Sequence, residues 1–369
     1  MRYLRNKLFL YLFAWITIGL SSCGGKSEKA VSSTIPLLEV QGETTLDELL
    51  EIVDCTPLEL SEKSLMGNIH KMNIYQKKYY ILDRVQTRKV HVFHFDGSYS
   101  HSIGSTGGGP GEYSAIKDFT IDEENERIAI LSLPATVYMY DLSGNFLFSK
   151  KIGEILFNNI CSTPEGFVCS TNHNTLIKEE DAFLLFFFDK NVDLKEKRIP
   201  SQSAKVSFPP FVTNPLISTP KGLVFFDHFT STFYHCPHNS PQEMQPFHFE
   251  LDAPIPPEAY ADPMLFFNSQ QNSSFFLESY VVDNTLWAFL VKRGRLTFLL
   301  FNMDTGEKVF KDHKDFNLEI LDYEEGYLYS SLNPSFILDN GNGHYPLNKS
   351  ARYPIEEEGN RVIVRYRIK

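Results

Sequence analysis

The sequence predicts an all-β chain folded as a six-bladed β-propeller, with four-stranded antiparallel blades and a ring closed by an N-terminal strand. Three observations carry this. Aromatic residues make up 14% of the chain, with 31 Phe and 18 Tyr against 2 Trp, a balance that suits pleated, half-buried surfaces. Short apolar runs separated by turn signals recur in units of about 40–50 residues, four runs to a unit. The last unit then lacks one strand, and the start of the body has one to spare.

The 369 residues are too many for one small domain and suit one large repeat architecture. Hydrophobic residues are 42% and charged residues 22%, which excludes global disorder. Lys plus Arg number 35 against 46 Asp plus Glu, a net charge of −11. Phosphate recognition needs a basic patch, so no nucleic-acid partner is expected.

Residues 1–22 read as a lipoprotein signal peptide. Arg2, Arg5 and Lys7 form a positive n-region, and Leu8 to Leu20 is apolar and uncharged. That stretch is short of the ~20 residues that span a bilayer. Leu20-Ser21-Ser22-Cys23-Gly24 follows and resembles a lipobox, with Cys23 as the lipidated residue. Residues 23–48 read as a tether and lead-in, and 49–369 as the propeller. The expected location is the cell envelope, at the outer membrane, with membrane contact only through the lipid anchor. Export permits disulfides. Cys161 and Cys169 flank Pro164-Glu165-Gly166 and could face each other across a hairpin. Four dispersed cysteines in a large domain are, however, expected to be free and buried.

The first unit runs from Ile69-His-Lys-Met-Asn-Ile through Tyr79-Tyr-Ile-Leu-Asp83 to Val90-His-Val-Phe-His-Phe-Asp-Gly97. The second runs from Ile116-Lys-Asp-Phe-Thr-Ile-Asp122 through Ile128-Ala-Ile-Leu-Ser132 to Val137-Tyr-Met-Tyr-Asp141 and Ser143-Gly144. Asp96-Gly97 and Ser143-Gly144-Asn145 mark hairpins between the last two strands of each. Looser units start near Gly166, Gly222, Leu286 and Gly326. An open outer edge on the last blade would invite aggregation, so Ile52 to Leu60 is expected to complete it.

Thr56-Pro-Leu-Glu-Leu60, Leu65-Met-Gly67, Tyr79-Tyr-Ile-Leu-Asp83 and Gly107-Gly-Gly-Pro-Gly-Glu-Tyr113 together resemble the six-bladed β-propeller lipoproteins of Bacteroidetes. These are NHL-like propellers, largely domains of unknown function. The resemblance is close over residues 50 to 155 and one of pattern elsewhere. It implies six blades and export, and no established activity. The family typically has a basic residue before its Gly-Pro, where Gly109 stands in this chain.

Loops joining second to third strands share one face with loops joining successive blades, and that face is the expected binding mouth. It would carry Arg84, Arg88, Glu112, Tyr113, His173, His228, Arg293 and Arg295, with Lys178, Glu179 and Glu180 nearby. Several arginines at one mouth could hold an anion, with solvated surface as the plainer reading. Gly107 to Gly111 reads as a tight turn with Tyr113 packed between blades, against direct ligand contact. No helix start or Lys-Ser/Thr follows it, so it is not a phosphate loop. The insertions at Ala253 to Ser273 and Asn333 to Asn360 map to the same face. His235-Cys-Pro-His238 reads as a surface turn, and His91 and His94 lie on opposite strand faces, so no metal site and no cofactor are expected.

The leading functional expectation is non-catalytic binding of a glycan, peptide or envelope protein at the loop face. A hydrolase or lyase of lactonase type is the second. It would hold a divalent cation on the axis, with Asn68, Asn73, Asp118, Asn158, Asn159 and Asp283 as inner-strand candidates. A structural subunit of an envelope complex is the third.

Overall fold

The structure, a computed structural model, describes residues 33–171, 173, 182–202, 215–238, 242–313, 318–340 and 344–369. The signal peptide, Cys23, Lys178, Glu179 and Glu180 lie outside the described residues.

The N-terminal segment supplies β1 (Ser33–Leu37), β2 (Glu43–Thr44), α1 (Leu46–Leu49) and β3 (Leu50–Pro57). Blade one is β4 (Lys71–Tyr75), β5 (Lys78–Asp83), β6 (Lys89–His94) and β7 (Tyr99–Ile103). A short parallel pair, β8 (Ser105–Thr106) and β9 (Glu112–Tyr113), sits in the link to blade two. Blade two is β10 (Ala115–Asp122), β11 (Arg127–Leu133), β12 (Thr136–Asp141) and β13 (Phe146–Lys151). Blade three is β14 (Asn159–Thr163), β15 (Gly166–Ser170), β16 (Phe183–Asp189) and β17 (Leu194–Pro200). Blade four is β18 (Leu216–Thr219), β19 (Gly222–Asp227), β20 (Thr232–Pro237) and β21 (Gln245–Leu251). After α2 (Pro263–Gln270) comes blade five: β22 (Ser274–Val282), β23 (Thr285–Lys292), β24 (Arg295–Asn302) and β25 (Lys308–His313). Blade six is β26 (Asp322–Glu324), β27 (Tyr327–Leu332) and, beyond α3 (Pro334–Asn340), β28 (Val362–Ile368).

Each blade's second strand reads as a near-continuous apolar run because it is buried on both faces. Tyr79 and Ile81 enter the apolar layer between blades six and one, while Tyr80 and Leu82 enter the layer between blades one and two. Ile128 and Ile130 against Ala129 and Leu131 repeat this division one blade on. Six such layers exist, one at each junction of neighbouring blades. The first strands of neighbouring blades touch and surround the axis. The expected hairpins are present. Asp96, Asp141, Asp189 and Asn302 each open a third-to-fourth-strand turn, and the side-chain Oδ1 accepts from the backbone two or more residues on.

The closure expected of the N-terminal strand is realised. β3 pairs antiparallel with β28, with Cys55 opposite Val364 and Pro57 opposite Val362, as the outermost strand of blade six. The seam is tight. Gly97 holds φ +86° and packs so closely on β3 that a Cβ there would run into the Pro57 carbonyl.

Two expectations need correction. From Ser33 onward the lead-in is structured, because β1 adds in parallel to β21 and β2 adds in parallel to β25. Blades four and five are therefore five-stranded, their outer edges capped by backbone hydrogen bonds that four strands would leave open. Only part of the insertion at Asn333 to Asn360 keeps to its expected face: α3 does, and residues 346–348 run along β3 instead. Leu347 bridges Cys55, with the Cys55 amide donating to Pro346 O (2.7 Å) and the Asn348 amide to Cys55 O (2.8 Å). This stretch covers the outer edge of β3. Cys55, Cys161, Cys169 and Cys236 are free and buried. Register decides this for the hairpin pair: Cys161 opposes Val168 and Cys169 opposes Ile160, so the two thiols enter different inter-blade layers.

Side chains stitch the first strands together. The Lys71 ammonium donates to Asp118 Oδ2 (3.1 Å), Phe119 O (2.8 Å) and Ile160 O (3.3 Å), which occupies all three of its protons. Asp118 also accepts from the amides of Phe119 (2.9 Å) and Ile160 (2.8 Å), joining blades one, two and three. Asp322 accepts from the Ile74 amide (2.6 Å), the Tyr280 hydroxyl (2.9 Å) and the Tyr323 amide (2.9 Å), joining blades one, five and six.

Asp118→Ala would leave the Lys71 ammonium buried without its carboxylate, and urea unfolding should show a loss of roughly 3–5 kcal/mol. A chain beginning at Leu58 lacks β3 and should aggregate on size-exclusion chromatography. One beginning at Thr45 keeps β3 and should remain a monomer with a lower Tm. A soluble, cooperative fold from the chain beginning at Leu58 would refute the closure account.

Candidate functional site

The first strands end in short links to the second strands: Gln76-Lys77, Pro164-Glu165, Pro220-Lys221, Asp283-Asn284 and Glu325-Gly326 are two-residue turns. Gln76, Lys77, Asp283, Asn284 and Glu325 hold positive φ there, as tight hairpins require. Such short turns cannot fold over the axis, and this end of the channel stays open. A cavity of about 600 Å³ occupies it. Asn73, Thr120, Cys161, Ser218, Tyr280 and Asp322, one residue from each blade's first strand, line its wall. Glu123, Glu124 and Glu324 form its rim.

The wall is polar and the rim acidic. Burial pushes the Asp322 carboxyl up to about 6 despite its three hydrogen bonds. Glu324 rises from the ordinary 4.5 to about 7, first from burial and then from the charges of Asp322, Glu325 and Glu123. Burial also raises Glu123. Asp122 is neutralised by Arg127 (2.6 Å) and Glu124 pairs with Lys190. Glu123 and Glu324 have no ion-pair partner among the described residues. Lys71, the cation in the wall, is consumed by its three acceptors. Asn73 Oδ1 is buried without a hydrogen-bond partner, a vacant acceptor in the wall. The arrangement would favour a positively charged, hydrogen-bonding guest.

The cavity therefore opens on the face opposite the one expected to bind, and the residues expected there do not converge. Arg84 is the one whose charge is felt by first-strand neighbours. It is exposed, and burial and then its charge lower His70 and Lys117. Arg88 is exposed beside Val85 O (3.4 Å). Arg293 pairs with Asp252 (3.3 Å) and Arg295 with Asp312 (3.8 Å), both on the blade-five side.

The other four have structural roles. Tyr113 is buried and its hydroxyl donates to Arg88 O (2.9 Å). Its ring packs where a Cβ on Gly104 (φ +78°) would stand, which accounts for that glycine. Glu112 turns back to accept from the Gly109 amide (2.8 Å), so the Gly107 to Tyr113 element is a self-braced turn. His228 is buried against Phe226 with burial holding its pKa far below the usual value. His173 is buried and joins blades three and four through Asp227 (2.8 Å). Ser201 Oγ lies 3.4 Å from His173 Nδ1, which assembles the residue types of a catalytic triad. The Gln202 amide, however, donates to the same nitrogen (3.2 Å), and Nε2–H donates to Asp227, so the imidazole has no lone pair left for a base.

Of the candidate cation ligands, Asn73 alone has a vacant oxygen in the cavity wall, and Asp118 is tied to Lys71. Asn68 Oδ1 accepts from Arg361 (2.9 Å), Asn158 donates to Thr171 O (2.9 Å), Asn159 Oδ1 accepts from Ser170 (3.3 Å) and Asp283 accepts from Tyr323. Among the described residues no three His, Cys, Asp or Glu side chains are grouped as a metal ion would need.

Fold and site together define a six-bladed propeller with a stitched axis and an acid-rimmed cavity at one mouth. The chain belongs to the family described as "Domain of unknown function (DUF4934)", whose profile matches residues 32–367. A crystal structure from Bacteroides fragilis, of a chain named as an exported protein, is similar with a TM-score of 0.72 at 16% identity. That match covers 91% of this chain and 100% of the other. A member of the DUF4221 family from Bacteroides vulgatus is similar with a TM-score of 0.54 at 11% identity, over 87% of this chain and 99% of that one. No curated protein matches the sequence. At these identities the likeness is one of fold.

The raised Glu324 makes a linked prediction. The folded protein keeps this proton to a higher pH than the unfolded chain, so the group costs stability as pH rises from about 4.5 through 7. Glu324→Gln should raise Tm relative to the parent at pH 8 and leave it unchanged near pH 4. Equal effects at both pH values would show that Glu324 ionises normally.

Proposed function

We propose that this is an exported, envelope-located binding protein, lipid-anchored through Cys23, that takes a positively charged peptide or amine-bearing glycan into the channel cavity. The cavity carries the reading: its ~600 Å³ falls in the range of small-ligand sites. Its two unpaired rim carboxylates and one vacant amide acceptor supply the chemistry. The lipobox-like Leu20 to Cys23 and the name of the similar B. fragilis chain support export. A partner protein could reach the same mouth with one basic side chain.

A second reading is a hydrolase or lyase working in this cavity. Glu324, at about 7, has the proton affinity of a general acid–base at neutral pH. The thiol in the same wall is a poor nucleophile: burial pushes Cys161 up to about 11, so it remains protonated.

A thermal-shift screen of the mature chain tests the binding reading. Short basic peptides and amine-bearing oligosaccharides should raise Tm, in proportion to a stabilisation of about 2.7 kcal/mol at 100 times Kd. Neutral and acidic oligosaccharides should do so weakly or not at all. Glu123→Gln with Glu324→Gln, or Asn73→Ala, should cut affinity at least about tenfold, as losing charged and neutral hydrogen bonds would. A response to acidic ligands alone would sink the assignment, and turnover of a ligand that depends on Glu324 would favour the enzyme.

A further inference from the structure

The face opposite the cavity carries an apolar arc that the binding function does not use. α2 begins at Pro263 and is capped by Asp262, whose Oδ1 accepts from the amides of Met264 (2.8 Å) and Leu265 (3.2 Å). Phe266 turns inward against Ile255, Ala259 and Tyr260. With that side chain committed to the core, helical geometry turns Met264 and Phe267 outward, 69% and 53% exposed. α2 contains no charged residue. α3 repeats the division of buried and exposed side chains, though it carries one exposed acid, Asp339. Ile337 is buried in the layer between blades five and six, while Phe336 and Leu338 on either side are exposed. Leu296, at the start of β24 on this face, is also exposed.

A basic turn lies on the same face, in the blade between the two helices. Lys292-Arg293-Gly294-Arg295 joins β23 to β24. The Arg293 amide donates to Ser273 O (3.0 Å), which pins the turn beside the end of α2. The Arg293 and Arg295 side chains are 61% and 80% exposed. Their surface pairs with Asp252 and Asp312 are of a kind that contributes little and is readily exchanged.

We propose that this face docks on an anionic lipid surface, with Met264, Phe267, Phe336 and Leu338 entering the interface and Arg293 and Arg295 meeting headgroup phosphates. Charge chooses this occupant. Bulky apolar side chains on two short helices, with Asp339 as the one acid within them and arginines on the turn of the blade between, match an interface that is apolar below and anionic above. The acidic rim at the opposite mouth is repelled by the same surface, which fixes one orientation. The propeller lies with its cavity directed away from the lipid. This contact is additional to the lipid anchor and independent of the ligand proposed for the cavity.

The test is vesicle co-sedimentation of residues 24–369, which contain all six blades and lack the lipid. Vesicles of phosphatidylcholine with about a third phosphatidylglycerol should retain the protein, and pure phosphatidylcholine should retain far less. Met264→Ser with Phe267→Ser should weaken binding at least about tenfold. Arg293→Glu with Arg295→Glu should abolish the preference for the anionic lipid. Leu147→Ser, at an exposed outer-strand position of blade two, should leave binding unchanged, and matched melting curves confirm that all variants fold. Absence of vesicle binding overturns the proposal, as does binding that the Met264 and Phe267 substitutions leave intact. A concentration-dependent dimer dispersed by those substitutions would overturn it in favour of self-association.

Discussion

Closure of the ring is the constraint on which the rest of this structure depends. Each blade buries both faces of its second strand against its neighbours, so no blade is stable without the next. The last junction can form only when β3, from the beginning of the chain, pairs with β28 from its end. That one antiparallel ladder turns six marginal sheets into a cooperative body. The capping of blades four and five by β1 and β2, and of β3 by residues 346–348, extends the same solution outward. Unpaired edge amides are satisfied by whichever segment passes nearest.

Closure also creates the cavity. Six first strands around an axis cannot all touch, and the space between them has to be filled, stitched or left open. At mid-height it is stitched by Lys71 with Asp118 and by Asp322 with Tyr280. Toward the hairpin-turn face it is left open, and polar side chains line it. A buried carboxylate such as Asp322 is tolerated because amides on neighbouring blades are held in place to receive it. Glu324 and Glu123 lack that compensation. Uncompensated charge at a rim is a cost to the fold that a bound cation would remove, which makes the cavity the most economical place to look for function.

The two faces of the disc differ in kind. One carries two-residue turns and acid, the other inserted helices and exposed apolar side chains. The difference follows from connection length. Hairpin links in a propeller are constrained to be tight, whereas links on the other face have room to grow. Added length does not by itself make a ligand site. The Ala253 to Ser273 insertion builds its own small core around Tyr260 and Phe266, and residues 346–348 of the Asn333 to Asn360 insertion seal an edge.

Local chemistry made much of the fold legible. Turns of the form Asp96-Gly97 and Ser143-Gly144-Asn145 depend on φ and short side-chain bonds, and apolar runs such as Tyr79 to Leu82 depend on two-sided burial. Both are properties of a few adjacent residues. The closing strand followed from counting. The site was far less legible. Lys71, Asp118, Tyr280 and Asp322 are ordinary polar residues in sequence, and the one hint at three of them is charge within strands that ring an axis. Their partners are up to 248 residues away, as with the Asp322 to Ile74 contact. The register that separates Cys161 from Cys169, the face on which the channel opens, and the burial that silences His173, His228 and Tyr113 are likewise set by how blades meet. The amino-acid sequence by itself determined the strands, the blade repeat and the closure, because these rest on neighbouring residues and their periodicity. Only the tertiary structure decided which polar groups face one another around the axis, because that depends on six separate strands brought together by ring packing.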